Sequence, residues 1–440
     1  MNIKFSGGFV GVIGALLVLS TQMSAADATT PLALPLPPTP AIVKLSTEQV
    51  AAFRDYLVQE QKQLGLPGMA VVLAQPGQTL LVEGLGVHQA GGDLPVTVDT
   101  RFALGPATQA VNSLLLARLA EEDVVSLDAP ATRCWDEFHL ANPAAKVTSP
   151  DPLRTPTVDS PEHLNNGPAT RSWDETKSTD HPTPPKVTLR DLLSMTAGVP
   201  HNADSVLGNA SATPTDLFSV LAQIPVAAQP GREFAYSDAS VAAAGYLAVY
   251  AANHHRAPEN GLAAGYAALA QKELFDPLGM KDATFEATEN VVVGHTRDAQ
   301  GAWKADPTPP VDGGAFRPAL GLYASANDVA AWLQVEICDG LGREGKTFVL
   351  ADAVEERWHP PSVDTPREYG MGWATQHYRG IELVTRSGEH NGQAELVAII
   401  PQYRTAFALL TNGSGKEMAV FLQDALLNLA DLLKEASARQ

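Results

Sequence analysis

Cysteine is nearly missing: Cys134 and Cys338 are the only two among 440 residues. A fold stapled by several disulfides is excluded, and the pair is read either as one bridge or as two buried thiols. Cations are scarce, with 30 Lys and Arg against 49 Asp and Glu, a formal net charge of −19. Such a surface repels polyanions and anionic bilayers, so nucleic acid and membrane surfaces are set aside as partners. No apolar run is long enough to span a membrane. A short one over residues 9–19 follows Lys4 and precedes the small residues Ser24, Ala25 and Ala26. That pattern reads as an export signal over residues 1–26, so the expected location is periplasmic or secreted. The 11 histidines include no His-Glu-x-x-His pattern, and the adjacent His254 and His255 cannot share a helix face. No Gly-rich phosphate loop is present either, so no metal or cofactor is expected.

What the chain does have is core material: 45% of it is hydrophobic, enough for one large or two interleaved domains. A Pro-rich lead-in covers residues 27–44. Ser46 with Gln49 then forms a capping box, and Val50, Phe53, Tyr56 and Leu57 follow at helical spacing. Two apolar runs around Pro76-Gly77 read as a hairpin. The C-terminal end mirrors this, with two β-rich runs in ELVAIIPQYRTAFALLTNG. An amphipathic helix carrying Met418, Phe421, Leu422, Leu426, Leu429 and Leu433 follows them. The expected fold class is therefore α/β (α+β). Residues 45–100 and 320–440 would form an antiparallel sheet domain with flanking helices, and residues 101–319 an inserted helical domain. Within the latter, residues 147–186 are rich in Pro, Ser, Thr and Asp and read as a polar loop insertion. Thr188 and Asp191 cap the helix that resumes after it.

Several segments, taken in order, resemble the serine β-lactamase and penicillin-binding-protein superfamily. The branch they resemble holds class C β-lactamases, D-alanyl-D-alanine carboxypeptidases and esterases. The segments are GLPGMAVVL, TRFALGPATQ, LARLAEEDVVSLDAP, LRDLLSMTAGVP, PGREFAYSDASVAAAGY, FDPLGMKDATF, LGLYASANDVAAWL, YGMGW and AIIPQYRTAFALLTNGSG. In that family a Ser in the first turn of a helix attacks a carbonyl, and a Lys three residues on takes its proton, an S-x-x-K pattern. A Tyr from Y-x-N assists, and a strand bearing K-T-G or H-x-G holds the substrate carboxylate.

The resemblance implies that Pro106 occupies the position of the nucleophile and Gln109 that of the base. Proline suits a first helical turn and glutamine a helix interior, so the helix survives without its chemistry. No Lys in the chain has a Ser three residues before it, and Thr183-Pro-Pro-Lys186 cannot form a helical turn. Tyr236 keeps the second motif's phenol, with Asp238 where Asn is usual. Arg386, Ser387 and Gly388 replace the third motif, keeping a cation, a hydroxyl and the space a ligand would use. Arg386 would bind a ligand carboxylate through its planar fork or pair with Asp238. Thr108, Ser113, Ser237 and Ser387 are the neighbouring hydroxyls, and His390 is the best candidate base for any of them.

The resulting expectation is an exported, catalytically inactive member of that family. Its cleft, formed by Tyr236, Asp238, Arg386, Ser387 and Gly388, would bind carboxylate-bearing cell-wall peptides or β-lactam-like ligands. Two alternatives stand beside it. One is an active hydrolase using another nucleophile on an ester, amide or peptide. The other is an interaction protein that meets a protein partner through residues 147–186.

Overall fold

Two runs of residues that alternate between two buried faces supply the centre of the molecule. The structure, a computed structural model, describes residues 42–141, 186–207, 212–286, 289–306, 314–359 and 368–440. The expected signal segment, nearly all of the Pro-rich lead-in and all but the last residue of the 147–186 insertion lie outside the described residues.

Seven strands build one antiparallel sheet: β1 (Gly68–Gln75), β2 (Gln78–Gly86), β3 (Glu368–Tyr369), β4 (Ala374–Tyr378), β5 (Ile381–His390), β6 (Gln393–Ile400) and β7 (Thr405–Thr411). Their order across the sheet is β2-β1-β7-β6-β5-β4-β3, so strands from the two distant parts of the chain meet where β1 pairs with β7. The expected hairpin turns at Pro76-Gly77, where Gly77 takes a φ of +72° that a side chain would resist. Every residue of β1, β6 and β7 is buried, because both faces of the sheet are covered.

The two faces differ in side-chain size, and that difference sets what packs on each. Met69, Val71, Leu73, Leu396, Phe407 and Leu409 point to one side. There they meet α1 (Thr47–Gln63) and the long C-terminal α6 (Lys416–Ser437), which buries the expected stripe from Met418 to Leu433. On the other side lie Ala70, Val72, Ala74, Val397, Ala406 and Ala408. These smaller residues pack in one core with α2 (Thr108–Glu121), α3 (Asp238–Ala252), α4 (Ala326–Ile337) and α5 (Ala351–Trp358). The capping boxes expected at Ser46 and Thr188 are both formed.

One interaction fixes α2 from behind. Arg357 on α5 and Glu336 on α4 form an ion pair of 2.5 Å with both side chains fully buried. Arg357 also donates to the Ala110 carbonyl and to Ser113 Oγ on α2, and Glu336 accepts from the indoles of Trp332 and Trp358. A buried pair holds its place only with such additional partners. Cys134 and Cys338 are both free thiols, so the bridge left open by the sequence is not made.

Candidate active site

The chain enters α2 through a tight turn, Gly105–Ala107, with Pro106 in its first positions. Gly105 has a φ of +41°, and a Cβ there would lie 2.8 Å from the Cβ of His390, so only glycine fits. Pro106 follows with its ring against β5. A Cβ built on Gly388 would be 2.3 Å from Pro106 Cγ. The bare position on the strand, expected to admit a ligand, is thus occupied by the proline ring.

One helical turn on, Gln109 is fully buried. Its Nε2 donates to Asp238 Oδ1 at 2.7 Å and to Tyr236 Oη at 3.3 Å, and its Oε1 accepts from Tyr369 Oη at 3.0 Å. Tyr236 Oη donates to Asp238 Oδ1 at 2.9 Å. Arg386 completes the set: Nη2 donates to Tyr236 Oη, Nη1 to Tyr369 Oη and Nε to the Pro106 carbonyl, each at 3.0 Å. The guanidinium lies 5.6 Å from the centroids of both tyrosine rings. The sequence left Arg386 between a ligand carboxylate and Asp238. The structure gives it two tyrosine hydroxyls and a carbonyl, with Tyr236 bridging to Asp238.

Of the candidate residues, the fold brings Pro106, Gln109, Tyr236, Asp238, Arg386 and Gly388 together. Ser387 is exposed and follows the alternation of the strand. Arg386 pairs in register with Val397 on the inner face, whereas Ser387 pairs with Leu396, which packs on the outer face. The neighbouring hydroxyls are engaged elsewhere. Thr108 Oγ1 accepts from the Leu322 amide, Ser113 Oγ donates to the Ala110 carbonyl, and Ser237 Oγ donates to Asp204 while capping α3. His390 Nε2 is buried without a hydrogen-bond partner among the described residues, these hydroxyls included, and burial pushes its imidazole down to about 4.

Three residues of the site were not among those singled out from the sequence. Tyr369 sits inside YGMGW, but nothing in that segment distinguishes it from a packed aromatic. Asp204 accepts from Ser237 Oγ and from the amides of Asp238 and Ala239, satisfying the start of α3 from another element. Glu395 is 1% exposed, on the inner face of β6 across from Gly388, and neither carboxyl oxygen has a hydrogen-bond partner among the described residues. Its signal was available: an acid at an inward position of the apolar run AELVAII.

Burial dominates the electrostatics. It raises Asp238 to about 6, with the nearby Asp204 charge adding to the shift. It also lifts the Tyr236 hydroxyl far above its ordinary range and Glu395 well above 4.5. The two residues at the motif positions supply neither nucleophile nor base: the amide of Gln109 cannot accept a proton, and proline offers neither a hydroxyl nor an N–H.

This arrangement stands on a scaffold with known relatives. Residues 53–431 match the family model described as Beta-lactamase. The chain belongs to the beta-lactamase family. Within that family, it is 24% identical over 92% of its length to "Putative beta-lactamase-like 1" of Homo sapiens, covering 72% of that protein. It is 23% identical over 86% of its length to "Unguisins hydrolase ungD'" of Aspergillus campestris, and 20% identical over 81% to "Protein flp" of Staphylococcus aureus. It spans only 65% and 62% of those two proteins. Among solved structures, the octameric penicillin-binding protein homologue from Pyrococcus abyssi superposes with a TM-score of 0.62 at 19% identity, covering 87% of this chain and 77% of that one. The penicillin-binding protein from Bacillus halodurans gives 0.60 at 17%, covering 86% and 99%. At those identities the likeness is one of fold, and the mixed architecture with its antiparallel sheet matches it.

Proposed function

We propose that this chain is a non-hydrolysing member of the beta-lactamase family, exported from the cell, whose remodelled centre serves recognition. The observation that carries this reading is the pairing of Pro106 with Gly388 and of Gln109 with Tyr236, Asp238 and Tyr369. A proline ring fills the gap over the strand, and a neutral amide sits where a proton acceptor would be required. Loss of a nucleophile and its base costs on the order of 10⁶ in turnover in well-studied serine enzymes, and the engaged hydroxyls nearby offer no replacement. The ligands that fit the family resemblance are cell-wall peptides and β-lactam-like molecules. A carboxylate on such a ligand would reach Arg386 only by displacing Tyr236 or Tyr369.

The test is intact-mass spectrometry of the mature protein after exposure to a reactive penicillin and to a fluorophosphonate. Unmodified mass with both reagents supports the reading. A stoichiometric adduct overturns it, and peptide mapping would name the nucleophile.

A further inference from the structure

The network has a buried positive end and a half-buried negative one. Arg386 is 6% exposed, and all three of its nitrogens donate within the protein. Asp238 is only part-buried. Its Oδ1 takes both donors that reach the side chain, Gln109 Nε2 and Tyr236 Oη, and Oδ2 accepts from no group among the described residues. At the motif position where the resemblance expects a neutral asparagine amide, the chain thus offers an open carboxylate oxygen.

We propose that the site binds the primary amine of its ligand, with the ammonium seated on Asp238 Oδ2 beside the Tyr236 ring. This deepens the recognition reading above and rests on it. A carboxylate approaching Arg386 must break a hydrogen bond to a tyrosine hydroxyl and leave that hydroxyl unpaired, a cost on the scale of what it gains. An ammonium approaching Oδ2 breaks nothing and forms a charge-assisted bond. The groups facing Asp238 agree with this polarity. Asp204 from the helix Asn202–Leu207 adds negative charge, and Gln109 from α2 is neutral. So are Tyr236, preceding α3, and Tyr369 from β3. Arg386 from β5 is the opposing positive charge: it lies one Tyr236 hydroxyl away from Asp238 and acts against burial to keep that carboxyl ionised. His201 Nδ1 lies 3.4 Å from Asp204 Oδ2, on the far side of that carboxylate's bonds to the start of α3. The net charge of −19 favours cationic ligands in the same direction.

Calorimetric titration at pH 7.5 with two probes separates the choices. D-alaninamide carries an amine and no carboxylate, and N-acetyl-D-alanine the reverse. The expected result is saturable binding of D-alaninamide alone, weakened at least about tenfold in Asp238→Asn, a change that keeps the size of the side chain. Binding of N-acetyl-D-alanine in preference, unchanged amine affinity in Asp238→Asn, or no binding of either probe would overturn the proposal. The wild-type comparison decides even if the variant fails to fold. The penicillin experiment tests the non-hydrolysing reading by itself: an adduct there overturns that reading without touching the amine preference.

Discussion

The ring of Pro106 lies in the place of the side chain that Gly388 lacks, its Cγ 2.3 Å from where a Cβ would stand. Helix and strand are therefore fitted to each other at the position where the family resemblance places a nucleophile. Gly388→Ala should destabilise the protein by about 1–3 kcal/mol through overpacking. In a Pro106→Gly background, which removes Cγ, Cδ and Cβ, at 2.3, 2.8 and 2.9 Å from that position, most of that cost should vanish. Chemical denaturation of the four variants gives the coupling, and an additive result would mean the contact is not tight.

Restoring Ser and Lys tests how much of the frame remains. In Pro106→Ser/Gln109→Lys, the ammonium would lie beside Asp238 Oδ1 and Tyr236 Oη, in the space Gln109 Nε2 now fills. The double variant should fold and show slow acylation by penicillin, read by mass, where wild type shows none. A well-folded variant without label would show that the cleft itself is closed to the reagent.

Glu395 makes stability depend on pH. Its folded value is well above the ordinary 4.5 because it is buried. Above about 4.5 the unfolded chain loses this proton while the folded chain keeps it, so stability falls as pH rises, by ~1.4 kcal/mol per unit across the shifted window. Glu395→Gln should flatten that slope and leave the acid side little changed. Parallel urea melts of both proteins from pH 4 to 8 measure the difference, and identical slopes would mean the carboxyl finds a partner when ionised.

The Arg357–Glu336 pair should be costly to break from one side. Arg357→Met leaves a buried carboxylate with only indole donors and frees the carbonyl of Ala110, a loss of about 3–5 kcal/mol. Adding Glu336→Met should recover part of it, since the unpaired charge is then gone. A single variant as stable as wild type would contradict the packing described.

Much of the scaffold was legible because its signals are local. Ser46 with Gln49, Thr188 with Asp191, the Pro76-Gly77 turn and the stripe on α6 each depend on neighbours in sequence. Pro106 and Gln109 were placed by the family resemblance of the segments around them. Register and distant partners were not legible. Ser387 next to Arg386 in sequence suggested a joint role, but alternation along β5 sends them to opposite faces. Tyr369, 260 residues from Gln109, became part of the centre only through sheet pairing. Asp204 joined it by tertiary approach to α3, for which the sequence carries no periodic mark, whereas Glu395 was marked by the strand alternation that turns an acid inward.

On the proposed reading the Pro106–Gln109 centre forms no acyl-enzyme. Intact-mass spectrometry of the mature wild-type protein after incubation with a reactive penicillin and a fluorophosphonate tests it most directly. The expected result is an unchanged mass with both reagents, and a stoichiometric adduct on any side chain of the cleft would overturn that reading.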